Sequence, residues 1–146
     1  ADEVYREALE HCKDKEMIVL CAAVSDFKPD EMAAKKMMDK QNLQLSLTPT
    51  KDIASEIGKI KQKGQISVGF ALETHDEIEN AKRKIGAKNF DFIVLNSLND
   101  KGAGFGFETN KVSFIDKNNK IDEFELKNKV DVAKDIVAKI HTLLNS

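Results

Sequence analysis

The chain has 146 residues, of which 41% are hydrophobic and 33% charged, with a formal net charge of −2; this length predicts one domain. The near-neutral charge does not favour a general nucleic-acid binder, and no apolar run approaches the roughly 18 residues of a membrane span, so we expect neither partner. Cys12 and Cys21 lack metal-ligand spacing, which predicts two packed, reduced thiols in a cytoplasmic protein.

The first half of the chain alternates between helical periodicity and short apolar runs. The run over residues 17–24 is continuous, as in a strand that is buried on both faces of a parallel sheet. The predicted elements are a helix over residues 2–13 with Val4, Ala8 and Leu9 inward, a strand over 17–24, a loop over 28–42, a strand over 43–48 with one covered face, and a helix from Thr50 with Ile53, Ile57 and Ile60 on one side.

The second half continues this alternation and ends in a hairpin and a helix. Thr74 and Glu77 predict a capping box. The predicted elements are a strand over residues 66–72, a helix from Thr74 to Lys88, a strand over 90–95, a polar loop over 96–110, a hairpin of 111–116 with 121–126, and a helix over 129–144 with Val130, Ala133, Ile136, Val137, Ile140 and Leu144 on one stripe. This order predicts a single α/β domain over residues 1–146, with a Rossmann-like, doubly wound, mostly parallel sheet and a β-hairpin extension.

Several common site chemistries are excluded by the sequence. The glycines around Gly104 fail the dinucleotide fingerprint because Phe107 stands where its third glycine should be. A phosphate loop and a nucleophile elbow are both missing. His11, His75 and His141 are dispersed over predicted helices, so we interpret them as solvated surface residues.

An aspartate and several lysines point to one end of the predicted sheet, where ligands of α/β proteins bind. Asp26 follows the first strand, Lys84 and Lys88 lie one helical turn apart after a later strand, and Lys35 and Lys36 lie in the loop after Asp26. Converging lysines neutralise a polyphosphate, and an aspartate suits a ribose hydroxyl or a metal that bridges phosphates. Taken singly, Asp26 is also compatible with an ordinary loop cap and the lysine pair with a solvated helix face.

Four segments in this order resemble phosphopantothenoylcysteine synthetase, and the resemblance covers essentially the whole chain. The segments are Ala-Ala-Val-Ser-Asp-Phe at 22–27, Gly-Phe-Ala-Leu-Glu-Thr at 69–74, the Lys84/Lys88 pair, and Asn96 before a loop that ends in Gly104-Phe105. The resemblance implies a ligase of coenzyme A biosynthesis that is often fused in bacteria to a flavin-dependent decarboxylase. Such a ligase activates 4′-phosphopantothenate with CTP as an acyl-cytidylate, which the amine of cysteine attacks; Mg²⁺ accompanies the CTP, and the enzyme is a homodimer.

The resemblance also implies roles for individual residues. Asp26 matches the nucleotide-binding aspartate, Phe70 a phenylalanine of the nucleotide pocket, and Lys84 and Lys88 two helix lysines of the same site. Lys36 matches the loop lysine that reaches the triphosphate, and we predict it to be catalytic. The start of a nucleotide-contacting helix, with its exposed N–H groups, matches Lys51, Asp52, Ile53 and Ala54.

The sequence departs from the family pattern at two of these places. The usual Lys-x-Lys-Lys of the loop is Lys36-Met37-Met38-Asp39 here, so Lys35 or Lys40 could take the role of Lys36. Lys51 stands where the family usually has proline.

A larger departure concerns the glycine-rich and serine-rich N-terminal portion of the family, which carries an asparagine that holds the acyl intermediate. Nothing like it occurs in this sequence, so the chain is expected to be either a fragment or a natural half that needs a partner. A non-catalytic nucleotide-binding or dimerisation module is the alternative function, and ATP could replace CTP, as it does in family members outside bacteria. We further expect residues 28–42 to close as a lid over the phosphates, and the hairpin, through Phe114 and Ile115, to contact the twofold partner.

Overall fold

The secondary structure of the chain follows the predicted alternation. A computed structural model describes residues 1–31, 44–97 and 106–145. Its helices are α1 (Asp2–His11), α2 (Ile53–Ile60), α3 (Glu77–Lys88) and α4 (Lys129–Leu144), with a 3-10 turn at Cys12–Asp14. Its strands are β1 (Met17–Leu20), β2 (Phe27–Pro29), β3 (Leu47–Pro49), β4 (Ile66–Glu73), β5 (Phe92–Ser97), β6 (Thr109–Asn110), β7 (Val112–Asp116), β8 (Ile121–Glu123) and β9 (Lys127–Asn128).

Five of these strands form a central sheet in the order β1-β4-β5-β7-β8. The first three strands run parallel, while β7 and β8 are antiparallel to their neighbours. The sheet is therefore mixed and mainly parallel around its centre, which confirms the Rossmann-like prediction. The hairpin of β7 and β8 continues the central sheet along β5, instead of extending away from it.

The two faces of the sheet carry separate apolar cores. On one face, α4 packs on side chains of β4, β5 and β7 to form a cluster of Ile66, Val68, Phe92, Val94, Val112, Phe114, Val132, Ile136 and Ile140. On the other face, α3 packs on β4, β5 and β7 with a cluster of Ala71, Ala81, Ile85, Phe90, Ile93, Leu95 and Ile115. Helices on both faces are what makes the sheet doubly wound.

β1 differs from the fully buried strand that we predicted over residues 17–24. Only Met17–Leu20 form a strand, and it lies at the edge of the sheet. Met17 and Val19 are 46% and 42% exposed. The continuous apolar run was correctly recognised as a parallel strand, but its apolar side chains do not all pack within the described residues.

The ribbon of β2 and β3 also differs from the prediction. The two strands pair antiparallel as a separate two-stranded sheet, and all three residues of β3 are exposed, so the covered face predicted for residues 43–48 is wrong. The lid was predicted over residues 28–42, of which Lys28 and Pro29 belong to β2. Residues 32–43 lie outside the described part of the chain, so closure of the lid stays a prediction.

Three further predictions about helix faces and caps are wrong in whole or in part. In α1, Ala8 and Leu9 are half-buried on the predicted inner face, whereas Val4 is exposed. The predicted capping box is replaced by an N-cap at Asp76, whose φ is 45°, while Glu77 accepts a hydrogen bond from Ser97. The buried stripe of α4 consists of Val132, Ile136 and Ile140 with partly buried Leu143. Of the predicted stripe, Ile136 and Ile140 are confirmed, while the other four residues are exposed: Val130, Ala133, Val137 and Leu144.

The predicted dimer contact of Phe114 and Ile115 is also wrong. The two side chains are 1% and 0% exposed, because Phe114 packs in the cluster under α4 and Ile115 packs in the cluster under α3. The Phe114 ring packs against Phe124 with 4.5 Å between ring centroids. The alternation of apolar and polar residues suggested a ribbon that is covered on one face, but β7 is covered on both faces of the sheet.

Candidate functional site

A cavity of about 340 Å³ opens at the carboxyl ends of β1 and β4. It is lined by side chains from α1, β1 and the segment after it, the start of α2, β4 and α3. These residues are Val4, Ala8, Val19, Leu20, Cys21, Ala22, Val24, Asp26, Thr50, Lys51, Asp52, Ile53, Ala54, Phe70, Lys84, Lys88 and Phe90. The volume is in the range of small-molecule sites, and the lining combines apolar side chains with a few charges, as such sites do.

Eight of the nine residues singled out in the sequence for nucleotide binding line this one cavity. They are Asp26, Lys51, Asp52, Ile53, Ala54, Phe70, Lys84 and Lys88. The ninth, Lys36, lies outside the described residues, together with Lys35 and Lys40. The structure thus brings together residues that are separated by up to 62 positions in the chain, although it does not test their roles.

Asp26 is held in place by its own backbone. Its carbonyl oxygen accepts a hydrogen bond from the Thr50 amide at 2.8 Å, and the Thr50 hydroxyl donates to the Ser25 carbonyl at 2.6 Å. These bonds join the segment after β1 to the residues before α2. The exposed Asp26 carboxylate is therefore placed on a fixed backbone at the cavity.

Asp52 begins α2 and also binds a lysine of the cavity. Its Oδ1 accepts from the Ser55 amide at 3.0 Å as the N-cap, and its Oδ2 lies 3.2 Å from Lys88 Nζ. Partial burial on its own would raise the pKa of Asp52, but the hydrogen bonds from Ser55 and Lys88 outweigh burial and lower the pKa below its usual 3.8. Asp52 therefore carries its negative charge near neutral pH.

A close approach of α2 to the end of α3 makes the contact between Asp52 and Lys88 possible. A Cβ on Gly58 would lie 2.2 Å from the carbonyl oxygen of Lys88, and Asn89 Nδ2 donates to the Gly58 carbonyl at 3.0 Å. Only glycine leaves room for this backbone contact. Gly58 thus sets the distance between the two helices that supply the charged wall of the cavity.

Lys84 lies one turn before Lys88 and has its own carboxylate partner. Its Nζ donates to Glu73 Oε1 at 2.6 Å, and Glu73 is the last residue of β4. Sequence reasoning missed Glu73. The signal was available, because Glu73 ends a parallel strand in the same way that Asp26 follows one.

Lys51, which departs from the family proline, stacks on an aromatic ring. Its Nζ lies 4.4 Å from the centroid of the Tyr5 ring, within the range of a cation–π contact. A second contact of α1 is the ion pair of Asp2 with Lys28 of β2. Together these contacts hold α1 over the cavity.

Cys21 also lines the cavity and is exposed, whereas Cys12 is buried and both are free thiols. The prediction of two packed thiols is therefore correct for Cys12 only. Among the described residues, no group of three or more His, Cys, Asp or Glu side chains could hold a metal ion. No helix in the described parts of the chain has both the length and the apolar character that crossing a membrane would require.

Comparisons with known proteins identify the family of the chain. Residues 1–144 match the family model of the DNA/pantothenate metabolism flavoprotein C-terminal domain. The chain is 51% identical over 146 residues to a cysteine/cysteine sulfinic acid decarboxylase from an unknown prokaryotic organism, covering 99% of this chain and 41% of that protein. It is 39% identical over 140 residues to the coenzyme A biosynthesis bifunctional protein CoaBC of Bacillus subtilis (strain 168), covering 94% of this chain and 34% of that protein.

A solved structure gives the same result for the fold. The crystal structure of the C-terminal domain of a coenzyme A biosynthesis bifunctional protein CoaBC matches with a TM-score of 0.79 and 28% identity, covering 99% of this chain and 63% of that chain. The chain thus spans about two-fifths or less of the length of the two curated relatives. These matches confirm the resemblance drawn from the sequence, and the chain belongs to the family of the DNA/pantothenate metabolism flavoprotein C-terminal domain.

Proposed function

We propose that this chain is the nucleotide-binding part of a phosphopantothenate–cysteine ligase of coenzyme A biosynthesis that uses CTP. The observation that carries the proposal is the single cavity that joins Asp26, Phe70, Lys84 and Lys88 to the start of α2. The CoaBC relatives support a role in coenzyme A biosynthesis. The choice of CTP and the roles of individual residues rest on the family resemblance.

The proposed reaction has two steps. The carboxylate of 4′-phosphopantothenate attacks the α-phosphorus of CTP, pyrophosphate leaves, and an acyl-cytidylate forms. The amine of cysteine then attacks the acyl carbon, CMP leaves, and the remaining amine proton passes to solvent. In this scheme Lys84 and Lys88 neutralise phosphate oxygens, and Lys36 is the catalytic lysine that reaches the triphosphate during the first step.

The other residues of the cavity suit the remaining parts of a nucleotide. The first N–H groups of α2, at Ile53 and Ala54, are donors for an anion. The aromatic face of Phe70 suits a base, and Asp26 suits a ribose hydroxyl. Lys51 lies at the same helix start, and we assign it to the nucleotide as well.

Magnesium fits this scheme as the companion of the nucleotide. Because the described residues contain no cluster of three metal-ligating side chains, we expect the phosphates to supply most of its ligands, with Asp26 or Asp52 at hand. Mg²⁺ commonly binds proteins through one or two carboxylates and substrate phosphates, and it would neutralise phosphate charge.

The first test is nucleotide binding. CTP with magnesium should raise the thermal midpoint of the chain by mass action, and ATP should be compared under the same conditions. Lys84→Ala should remove most of the shift; because the change also takes the partner of the shielded Glu73 away and lowers the ligand-free midpoint, the shift is measured from the midpoint of each variant without nucleotide. The matched control is Lys82→Ala on the same helix, because Lys82 pairs with Glu79 and does not line the cavity.

The two variants decide the assignment of the site. A shift that survives in Lys84→Ala, or one that is lost equally in Lys82→Ala, would show that the lysine pair is only a solvated helix face. If ATP raises the thermal midpoint and CTP does not, ATP replaces CTP in the proposal, and the assignment of the cavity as the nucleotide site stays.

We further infer that ligation needs a strand on the open edge of β1. Among the described residues no strand pairs with this edge, and Met17 and Val19 are exposed beside it. We expect the 146-residue chain to bind CTP weakly and to make no phosphopantothenoylcysteine. An enzyme extended by the family's N-terminal portion should turn over, and Lys36→Ala in that enzyme should slow formation of the acyl-cytidylate and not attack by cysteine.

The alternative function is a nucleotide-binding or dimerisation module without chemistry of its own. It would be favoured if the extended protein bound CTP and formed no acyl-cytidylate. A decarboxylase is not proposed, although one relative of which this chain covers 41% has that name, because the lysines and the helix start at the cavity suit the phosphates of a nucleotide.

A homodimer is part of the proposal, but its contact surface must differ from the one predicted. The ribbon of β2 and β3 exposes Phe27 and Leu47, at 54% and 53%. Lys substitutions at these two positions should release monomers in sedimentation experiments, whereas Val137→Lys on α4, also exposed, should not. A chain that is already monomeric at high micromolar concentration would contradict the dimer.

A further inference from the structure

Glu73 lies beside the proposed site, behind the cavity-lining Lys84, and protein groups contact both of its carboxylate oxygens. Its side chain is 12% exposed. Oε1 accepts from Lys84 Nζ at 2.6 Å, and Oε2 accepts from Asn80 Nδ2 at 3.3 Å. Asn80 is fixed in turn, because its Nδ2 also donates to the His75 carbonyl at 3.0 Å. Glu73 is thus held in one orientation at the end of β4.

Lys84 gains a defined position from this contact. A lysine has a flexible four-carbon stem and an ammonium group with three donors. The bond to Glu73 uses one of these donors, and the side chain is still 37% exposed and lines the cavity. Among the described residues Lys84 Nζ has no partner other than Glu73, so its remaining donors can meet an anion without moving Nζ away from Glu73.

The second lysine of the cavity is held less firmly. Lys88 contacts Asp52 at 3.2 Å, and the Asp52 side chain is 52% exposed. Asp52 has a separate structural task as the N-cap of α2, so it keeps a partner when Lys88 leaves. The two pairs differ in burial, and only Glu73 is shielded from water that would compete for its lysine.

We propose that Glu73 is a positioning residue for the nucleotide: it fixes the Lys84 ammonium at the cavity before the phosphates arrive. This inference rests on the proposed function. A pre-ordered lysine loses less side-chain freedom on binding, and this saving raises affinity. Glu73 is itself negative, but its charge is taken up by Lys84 and Asn80, so positioning outweighs repulsion of the phosphates.

A double-mutant cycle with CTP and magnesium as the probe separates these two effects. Glu73→Gln should weaken binding about threefold to tenfold, the range expected for freeing one long side chain. In a Lys84→Ala background the same change should have no effect, because Glu73 acts through Lys84. Glu73→Asp, which keeps the charge on a shorter stem, should restore part of the loss.

Two results of the cycle would overturn the proposal. Tighter binding by Glu73→Gln in both backgrounds would mean that Glu73 acts mainly by repelling phosphates. Equal weakening in both backgrounds would mean that the change disturbs the fold. Thermal midpoints measured without nucleotide show whether Glu73→Gln disturbs the fold.

A measurement without nucleotide separates failure of this inference from failure of the proposed function. Trace acetic anhydride should acetylate Lys84 faster in Glu73→Gln than in the unaltered chain, while Lys82 on the same helix reacts equally in both. An unchanged Lys84 rate would overturn the positioning role even if CTP binds. If CTP does not bind at all, the proposed function and the purpose given to Glu73 fail, whatever the acetylation rate shows about the contact.

Discussion

Lysine–carboxylate pairs occur at both ends of the parallel strands, and they differ in burial. Before β5, Lys61 Nζ lies 2.5 Å from Asp91, and the two side chains are only 9% and 8% exposed. At the carboxyl ends of the strands, Lys84 and Lys88 bind Glu73 and Asp52 with 37% and 27% of the lysine side chains exposed. The buried pair is closed to solvent, whereas the other two pairs face a cavity.

The difference shows how to tell a structural ion pair from a binding site. Asp91 also accepts from the Ser67 amide at 2.8 Å, and Lys61 also donates to the Asn89 carbonyl at 3.0 Å, so this pair ties α2, β4 and β5 together. A buried carboxylate keeps its charge at low cost only when its partners are present. Lys84 and Lys88, by contrast, retain donors that a ligand can reach.

The largest effect should come from breaking the buried pair. Asp91→Ala should lower the free energy of unfolding by about 3–5 kcal/mol, because it leaves the Lys61 ammonium buried without its counter-charge. Denaturant titration measures this loss. The control is Glu79→Ala, which removes an exposed partner of Lys82 and should change stability little; equal losses in the two variants would remove the distinction between the two ends of the sheet.

A smaller loss should follow from separating α2 and α3. Gly58→Ala places a Cβ 2.2 Å from the Lys88 carbonyl oxygen, so the helices must move apart, at a cost of about 1–3 kcal/mol. The movement should also weaken CTP binding, because it separates Asp52 from Lys88.

Gly86 on α3 provides the matched control for Gly58. A Cβ there meets nothing within 4 Å, so Gly86→Ala should stabilise the helix by roughly 0.5–1 kcal/mol. In thermal unfolding, the midpoint should fall for Gly58→Ala and rise for Gly86→Ala. Equal small effects would mean that the contact between α2 and α3 is loose.

Much of the fold could be predicted from the sequence, because strong periodicity sets the type of each element. The apolar run before Asp26 and the helix up to Lys88 both appear in the structure. Burial was harder to predict, since it depends on neighbours in space: Met17 and Val19 have the composition of a core strand and lie at an edge. Phe114 lies in a run with the alternation of a surface ribbon, and its side chain is buried in the cluster under α4.

In the candidate site, too, features that depend on nearby residues in the sequence could be predicted more readily than contacts between distant residues. Asp26, Lys84 and Lys88 could be selected because strand ends and a one-turn spacing are local signals. Glu73 offered the same local signal as the end of a parallel strand, but its role was missed, because that role comes from a contact with Lys84 across eleven positions. The Thr74 capping box failed for a related reason, as Glu77 is used by Ser97 of the neighbouring strand.

The smallest effect concerns pH. The folded-state pKa of Asp52 is lowered below 3.8, so its stabilising contribution is present above about pH 3.8 and is lost as the pH falls through the lower folded-state pKa. At pH 7, Asp52→Ala should cost about 1 kcal/mol, mainly through the lost N-cap. The difference in free energy of unfolding between the unaltered chain and Asp52→Ala should become smaller in acid.

Asp52→Asn isolates the charge from the cap. Its side-chain oxygen can still accept from the Ser55 amide, but it cannot titrate, so its advantage over Asp52→Ala should not change with pH. Denaturant midpoints between pH 2.5 and pH 7, on the order of the range where carboxylates titrate, would test this. If the difference in stability between the unaltered chain and Asp52→Ala does not change with pH, the lowered pKa of Asp52 is contradicted.

The open edge of β1 has a consequence for work with the isolated chain. Unpaired strand edges recruit other strands. In the described parts of the chain no strand pairs with the outer edge of β1, and exposed Met17 and Val19 add apolar area beside it. Storage at high concentration should therefore produce oligomers that grow with time, unlike a closed dimer that reaches one size. Adding a charged residue at Val19 should improve shelf life, and any twofold complex that survives this change can be attributed to a surface other than the edge.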